Sequence, residues 1–178
     1  MYLLACTLTI ACSEHRPQPA QQTKPPGPGS ETRAGAALPP SESTKVSHKI
    51  EEAPTAEGSA EAMIRDRLQR ADAMNLRLFA VTSANWCRPC VGLKKYENDP
   101  FMVAAYKGIY LLRFDIDHWR EDQLAPVRIT THEVPVFYEI GRDGKATGRT
   151  ITSSVWGEDI PVNMAPPLTE FFAPSIAR

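Results

Sequence analysis

The sequence predicts an α/β sandwich, a mixed central β-sheet flanked by helices, and three observations carry that prediction. Apolar stretches of strand length alternate with helical stretches across residues 59–178. A Cys-x-x-Cys pair, Cys87 and Cys90, stands where one of these strands passes into a helix. Late in the chain Arg142-Asp143-Gly144-Lys145 is a turn by its Asp-Gly pair, which makes the strands on either side an antiparallel hairpin.

The elements follow in order. Ser59 to Met74 places Met63, Arg67, Leu68, Ala71 and Met74 on one helical stripe, and Asn75 ends it. Arg77–Ser83 is a strand that delivers Trp86-Cys87-Arg88-Pro89-Cys90 to a helix continuing through Leu93 and Tyr96. Asn98-Asp99-Pro100 breaks that helix, and Phe101–Tyr106 forms another before Gly108. Ile109–Ile116 reads as a central strand with Asp115-Ile116-Asp117-His118 at its outgoing end. A short helix through Gln123-Leu124-Ala125 precedes the strand Val134–Ile140, which has a proline at its entry. Ala146–Ile151 returns antiparallel, and a last helix runs from about Met164 to Phe172, with Pro166 and Pro167 in its first turn, where no intrahelical N–H is lost.

Upstream of residue 59 the composition is different. Residues 1–12 form an uncharged apolar stretch, too short for a spanning helix of about 20 residues. The stretch suits the apolar region of an export signal, and Ala11-Cys12 resembles the processing site of bacterial lipoproteins, in which the cysteine becomes the lipidated first residue. Residues 13–58 hold half of the sixteen prolines and little to bury, so they read as a disordered Pro/Ser/Gln-rich tether. The weak alternation of Val46–Ile50 leaves room for an edge strand. A formal charge of −1 and the absence of any basic run with interleaved aromatics give no support to a nucleic-acid partner.

Chemistry concentrates at Cys87 and Cys90. At a helix N-terminus, unpaired N–H groups and the positive end of the helix dipole stabilise a thiolate, the species that attacks disulfides. Half of a zinc site, a permanent structural disulfide and two small buried hydrophobes are the alternatives. Zinc needs two further ligands, and the sequence has no second nearby Cys pair or close His-x-x-x-His run. Asp115 and Asp117 look like a metal pair on one strand face but are explained by solvation of a strand end. His118 and His132 read as surface residues, and Trp119 and Trp156 as core or cover.

Three features together, Trp86-Cys87-x-Pro89-Cys90 after a strand, the Asp115-Ile116-Asp117 strand end and Val134-Pro135 opening the next strand, make residues 59–174 resemble the thioredoxin superfamily. The Glu97-Asn98-Asp99-Pro100 break is more similar to its exported disulfide-interchange branch. The resemblance implies a thioredoxin-like sandwich and a thiol–disulfide oxidoreductase of the bacterial cell envelope in which Cys87 attacks and Cys90 resolves. It implies a cis bond before Pro135, with the Val134 backbone pairing with an extended substrate, and Trp86, Arg88 and Pro89 as the residues that cover and tune the pair. No cofactor or metal is implied. The partners are protein thiols or disulfides, an unidentified thiol–disulfide electron donor or acceptor, and a membrane reached through a lipid on Cys12. The alternative from another class is a copper-binding or redox-sensing module that uses the two thiols as soft ligands.

Three departures from the family pattern stand out. Val81 replaces the buried carboxylate often found six residues before the first cysteine, leaving water, Lys94 or Glu97 to serve the second thiol. Lys95 takes the place of the usual kinking proline. Arg88 replaces the commoner glycine, and its charge favours the Cys87 thiolate and a more oxidising pair unless solvent reduces the effect to tenths of a unit. Ser153–Pro161, an insertion-like stretch, has no chemistry that the sequence assigns.

Overall fold

A computed structural model describes residues 47–55 and 58–174. Cys12, Val46 and most of the proline-rich stretch lie outside these residues. The described chain forms one five-stranded sheet of order β1-β3-β2-β4-β5, with β1 at Lys49–Glu52, β2 at Arg77–Ser83, β3 at Ile109–Asp115, β4 at Val136–Ile140 and β5 at Ala146–Thr152. β1 and β2 both run parallel to β3, while β4 pairs antiparallel with β2 and with β5. The helices are α1 (Ala60–Ala73), α2 (Arg88–Lys95), α3 (Pro100–Ala105), α4 (Glu121–Leu124) and α5 (Pro161–Phe172).

The period-2 alternation of the strands sends their side chains into two cores, one on each face of the sheet. Leu78, Ala80, Tyr110, Leu112 and Phe114 pack with Met63 and Ile64 of α1, together with Leu124, Val127 and Trp119. Phe79, Val81, Ile109, Leu111 and Phe137 face Leu93 of α2, Met102 of α3, and Met164, Leu168 and Phe172 of α5. Both tryptophans left open by the sequence are core. Trp119 stacks edge-on against Phe114, and Trp156 against Phe137.

Local chemistry sets the element ends. The Ser59 hydroxyl accepts from the Ala62 N–H at 3.2 Å and caps α1, and Asn75, at a φ of 55°, turns the chain out of it. Asp99 caps α3 ahead of Pro100. Gly144, at a φ of 77°, closes the hairpin turn.

Two boundaries differ from expectation. The tether was expected to reach residue 58, yet Lys49–Glu52 is already a strand of the sheet. Its own alternation is weak because charged groups hold it: Glu51 pairs with Arg67 of α1 at 2.6 Å and accepts from the Tyr110 hydroxyl. The last helix was expected near Met164 but starts at Pro161, so Pro166 and Pro167 lie in its interior and not in its first turn. Pro161 at the first position, after extended Ile160, is what starts it.

Candidate redox site

β2 ends at Ser83, and the chain turns through Ala84–Trp86 into α2, with Cys87 as the N-cap. The Cys90 N–H donates to Cys87 Sγ at 3.2 Å. Cys87 and Cys90 are joined in a disulfide with Cα atoms 5.2 Å apart. Both residues are buried, with 5% and 2% of their surface exposed, under Ala84, Ile116 and Val134. Cys87, the more accessible of the two, also lies at the helix terminus where orphan N–H groups favour an anionic sulfur.

The Val134–Pro135 bond is cis, and the Val134 carbonyl oxygen is 3.6 Å from Cys87 Sγ. Sequence reasoning missed what fixes this loop, which is Thr82. Its fully buried hydroxyl accepts from the Val136 N–H at 3.2 Å and reaches the Glu133 carbonyl at 3.3 Å. A β-branched residue with a hydroxyl at the inner end of a central strand was the available signal.

Trp86, expected to cover the cysteines, is itself 67% exposed. Its indole N–H donates to Asp117 at 2.9 Å, and Asp115 accepts from Asn85 and from the Asp117 N–H. The two aspartates therefore hold the Trp86 loop against the end of β3. Among the described residues no group of three His, Cys, Asp or Glu side chains could hold a metal ion. His118 and His132 are exposed.

Lys94 and Glu97, the candidates to serve Cys90, are committed elsewhere. Val81 lies in register with Arg113 of β3. Arg113, with 6% of its side chain exposed, bonds Glu52 at 2.6 Å and Glu97 at 3.3 Å, while Lys94 pairs with Glu52 at 3.3 Å. This network gathers two cations at the C-terminal end of α2, the end that the helix dipole makes negative.

Arg88 is 90% exposed and lies at the first position of α2, and its Nε sits 3.7 Å from Asp159. Asp159 also accepts from the Trp156 indole N–H at 3.1 Å. The insertion-like stretch is thus brought against the motif. Ser153, Gly157, Glu158 and Asp159 line one side of a cleft of about 420 Å³, and Arg88 and Pro89 line the other.

No family model matches the chain, and no curated protein does. Solved structures similar to it include the reduced thioredoxin pre-protein of Schistosoma mansoni, at 17% identity over 58% of this chain and 85% of that one, TM-score 0.40. Trxlp from Edwardsiella tarda EIB202 is 16% identical over 70% of this chain and 98% of that one, TM-score 0.41. A poplar wild-type thioredoxin h is 20% identical over 59% and 82%, TM-score 0.39. Likeness at this level adds nothing about activity. The strand order, the parallel and antiparallel pairings and the placement of the cysteine helix make the sheet a thioredoxin-like α/β sandwich.

Proposed function

We propose that the protein is a thiol–disulfide oxidoreductase working through Cys87 and Cys90. The observation that carries this reading is the Cys90 N–H directed at Cys87 Sγ, with that sulfur capping α2. In the reduced protein the Cys87 thiolate attacks one sulfur of a substrate disulfide. A Cys87–substrate bond forms, and the other substrate sulfur leaves as a thiolate and takes up a proton. The Cys90 thiol gives up its proton and attacks Cys87 Sγ, forming the Cys87–Cys90 disulfide and releasing the second substrate thiol. Two electrons pass from the protein dithiol to the substrate, and an external thiol–disulfide partner restores the starting state. Oxidation of a substrate dithiol is the same sequence in reverse.

The backbone of Val134 lies beside the attacking sulfur, where an extended substrate segment can pair with it. Cys90→Ser should accumulate a mixed disulfide at Cys87, detected by mass spectrometry after mixing with a disulfide peptide, whereas Cys87→Ser should form none and lose exchange. Turnover absent from the wild type, with stoichiometric binding of copper(I) by the reduced pair, would replace this reading with the metal-handling one.

The same reading places the protein in a bacterial cell envelope, exported and lipidated on Cys12 and bearing its domain on the tether. No helix among the described residues is long and apolar enough to cross a membrane. In this reading the anchor is the lipid on Cys12. About 35 residues separate Cys12 from β1, and a random-coil chain of that length has an r.m.s. span of about 30–35 Å, enough for Cys87 to sample partners above a bilayer. Cell fractionation should find the wild type with membranes and Cys12→Ala in the soluble fraction; a soluble wild type would remove the anchor.

A further inference from the structure

We infer that Asp159 is a positioning residue that holds Arg88 away from Cys87 and so restrains the reactivity of the attacking sulfur; the inference rests on the proposed redox role of that sulfur. Arg88 is poorly placed for its helix, because a cation at the first position opposes the positive end of the dipole and α2 has no acidic residue in its first turn. The compensating carboxylate comes from outside the helix. Asp159 is largely enclosed, with one oxygen accepting from the Trp156 indole and its Cβ packed on α2 beside Gly92. A Cβ on residue 92 would stand 2.8 Å from the Asp159 Cβ, so the contact requires glycine there.

A fixed anion and a solvated cation are unequal partners, and the anion decides where the pair sits. Gly92 is five residues beyond Cys87, about 7.5 Å along a helix. The carboxylate therefore draws the guanidinium toward the second turn of α2, away from the sulfur at the N-cap. The remaining ionisable groups at this end of the sheet are Asp115 at the end of β3, Asp117 and His118 in the turn after it, and Glu133 beside Val134, with Glu158 in the cleft. Asp117 is engaged by Trp86, and Asp115 by Asn85 and His118. That leaves Arg88 as the cation whose position can change.

The test is the pH profile of Cys87 alkylation by iodoacetamide, with Cys90→Ser as the common background. Asp159→Asn keeps the acceptor for Trp156 and the packing on Gly92 while removing the charge. It should move the midpoint of the profile to lower pH and raise the rate below that midpoint about two- to five-fold, the range of an exposed ion pair. In an Arg88→Gly background the same substitution should have less than half that effect. An equal effect in both backgrounds would show that Asp159 acts on the sulfur without Arg88, and an unmoved or raised midpoint would show that it does not restrain Cys87; either overturns the inference. Alkylation needs no substrate. If the wild type exchanges no disulfides while the midpoint responds as described, the redox reading fails, and what stands is the coupling of Asp159 through Arg88 to the Cys87 thiol.

Discussion

Arg113 and Arg88 bracket the same helix, yet 6% of one side chain and 90% of the other is open to solvent. Arg113 lies under the C-terminal end of α2, where its charge suits the dipole, and bonds carboxylates from β1 and from the turn after α2. Arg88 sits at the N-terminal end, where its charge opposes the dipole, and meets a single carboxylate at 3.7 Å. Burial separates the two roles. A buried cation that loses its partners leaves a desolvated charge, so Arg113 ties elements together. A solvated cation contributes little to stability, and in the proposed function Arg88 is expected to act on the chemistry of the neighbouring sulfur instead.

The largest expected effect comes from breaking the buried side. Arg113→Ala should cost about 3 kcal/mol in urea unfolding, because a cavity remains, Glu97 loses its cation and Glu52 keeps only Lys94, whereas Arg113→Met should cost less than half as much. Equal costs would mean that packing, and not charge, gives Arg113 its role. Gly92→Ala comes next. The substitution gains up to about 1 kcal/mol in helix propensity, but the collision with Asp159 should outweigh it for a net loss of about 1–2 kcal/mol. A stabilised Gly92→Ala protein would show that the Ser153–Pro161 segment moves aside freely.

The β1 anchor gives a pH signature that extends the buried side of the comparison. Burial acts to raise the pKa of Glu51, but the Tyr110 hydroxyl, Arg67 and Lys49 outweigh it and hold the carboxyl below its ordinary value of 4.5. Its contribution is therefore fully present above that value and lost as pH falls through the lower folded one. Burial and the bond to Glu51 push Tyr110 up to about 12, so its contribution is present below its ordinary 10.0 and lost as pH rises through the folded value. Glu51→Gln should flatten the acid limb of a stability–pH curve, and an unchanged slope would show that β1 is held without this ion. The smallest effect belongs to Arg88→Gly, which should leave the free energy of urea unfolding within about 0.5 kcal/mol of the wild type while altering Cys87 alkylation.

The same division explains which parts of the molecule were legible from sequence. The strand before the cysteines, the Asp99-Pro100 break and the Asp-Gly hairpin were read from short local patterns, and the cis Val134–Pro135 bond followed from the family resemblance; together they position the candidate pair. β1 was only half-read, because Lys49–Glu52 is held by pairing with a strand about 60 residues away and by partners on α1 and β3. The roles of Arg113, Thr82 and Asp159 depend on elements meeting in space. Local periodicity cannot place Asp159 beside α2, and the only hint was Gly92 itself, a helix-interior glycine that asks for a close neighbour.

Equilibration of the Cys87–Cys90 pair against glutathione or dithiothreitol buffers, followed by alkylation of free thiols, measures the central claim most directly. A thiolate stabilised at the N-cap of α2 favours the reduced form, and the account predicts a reduction potential above about −300 mV with reversible exchange. A potential below about −300 mV, with no exchange on the timescale of the assay, would make the pair a structural disulfide and contradict the proposed function.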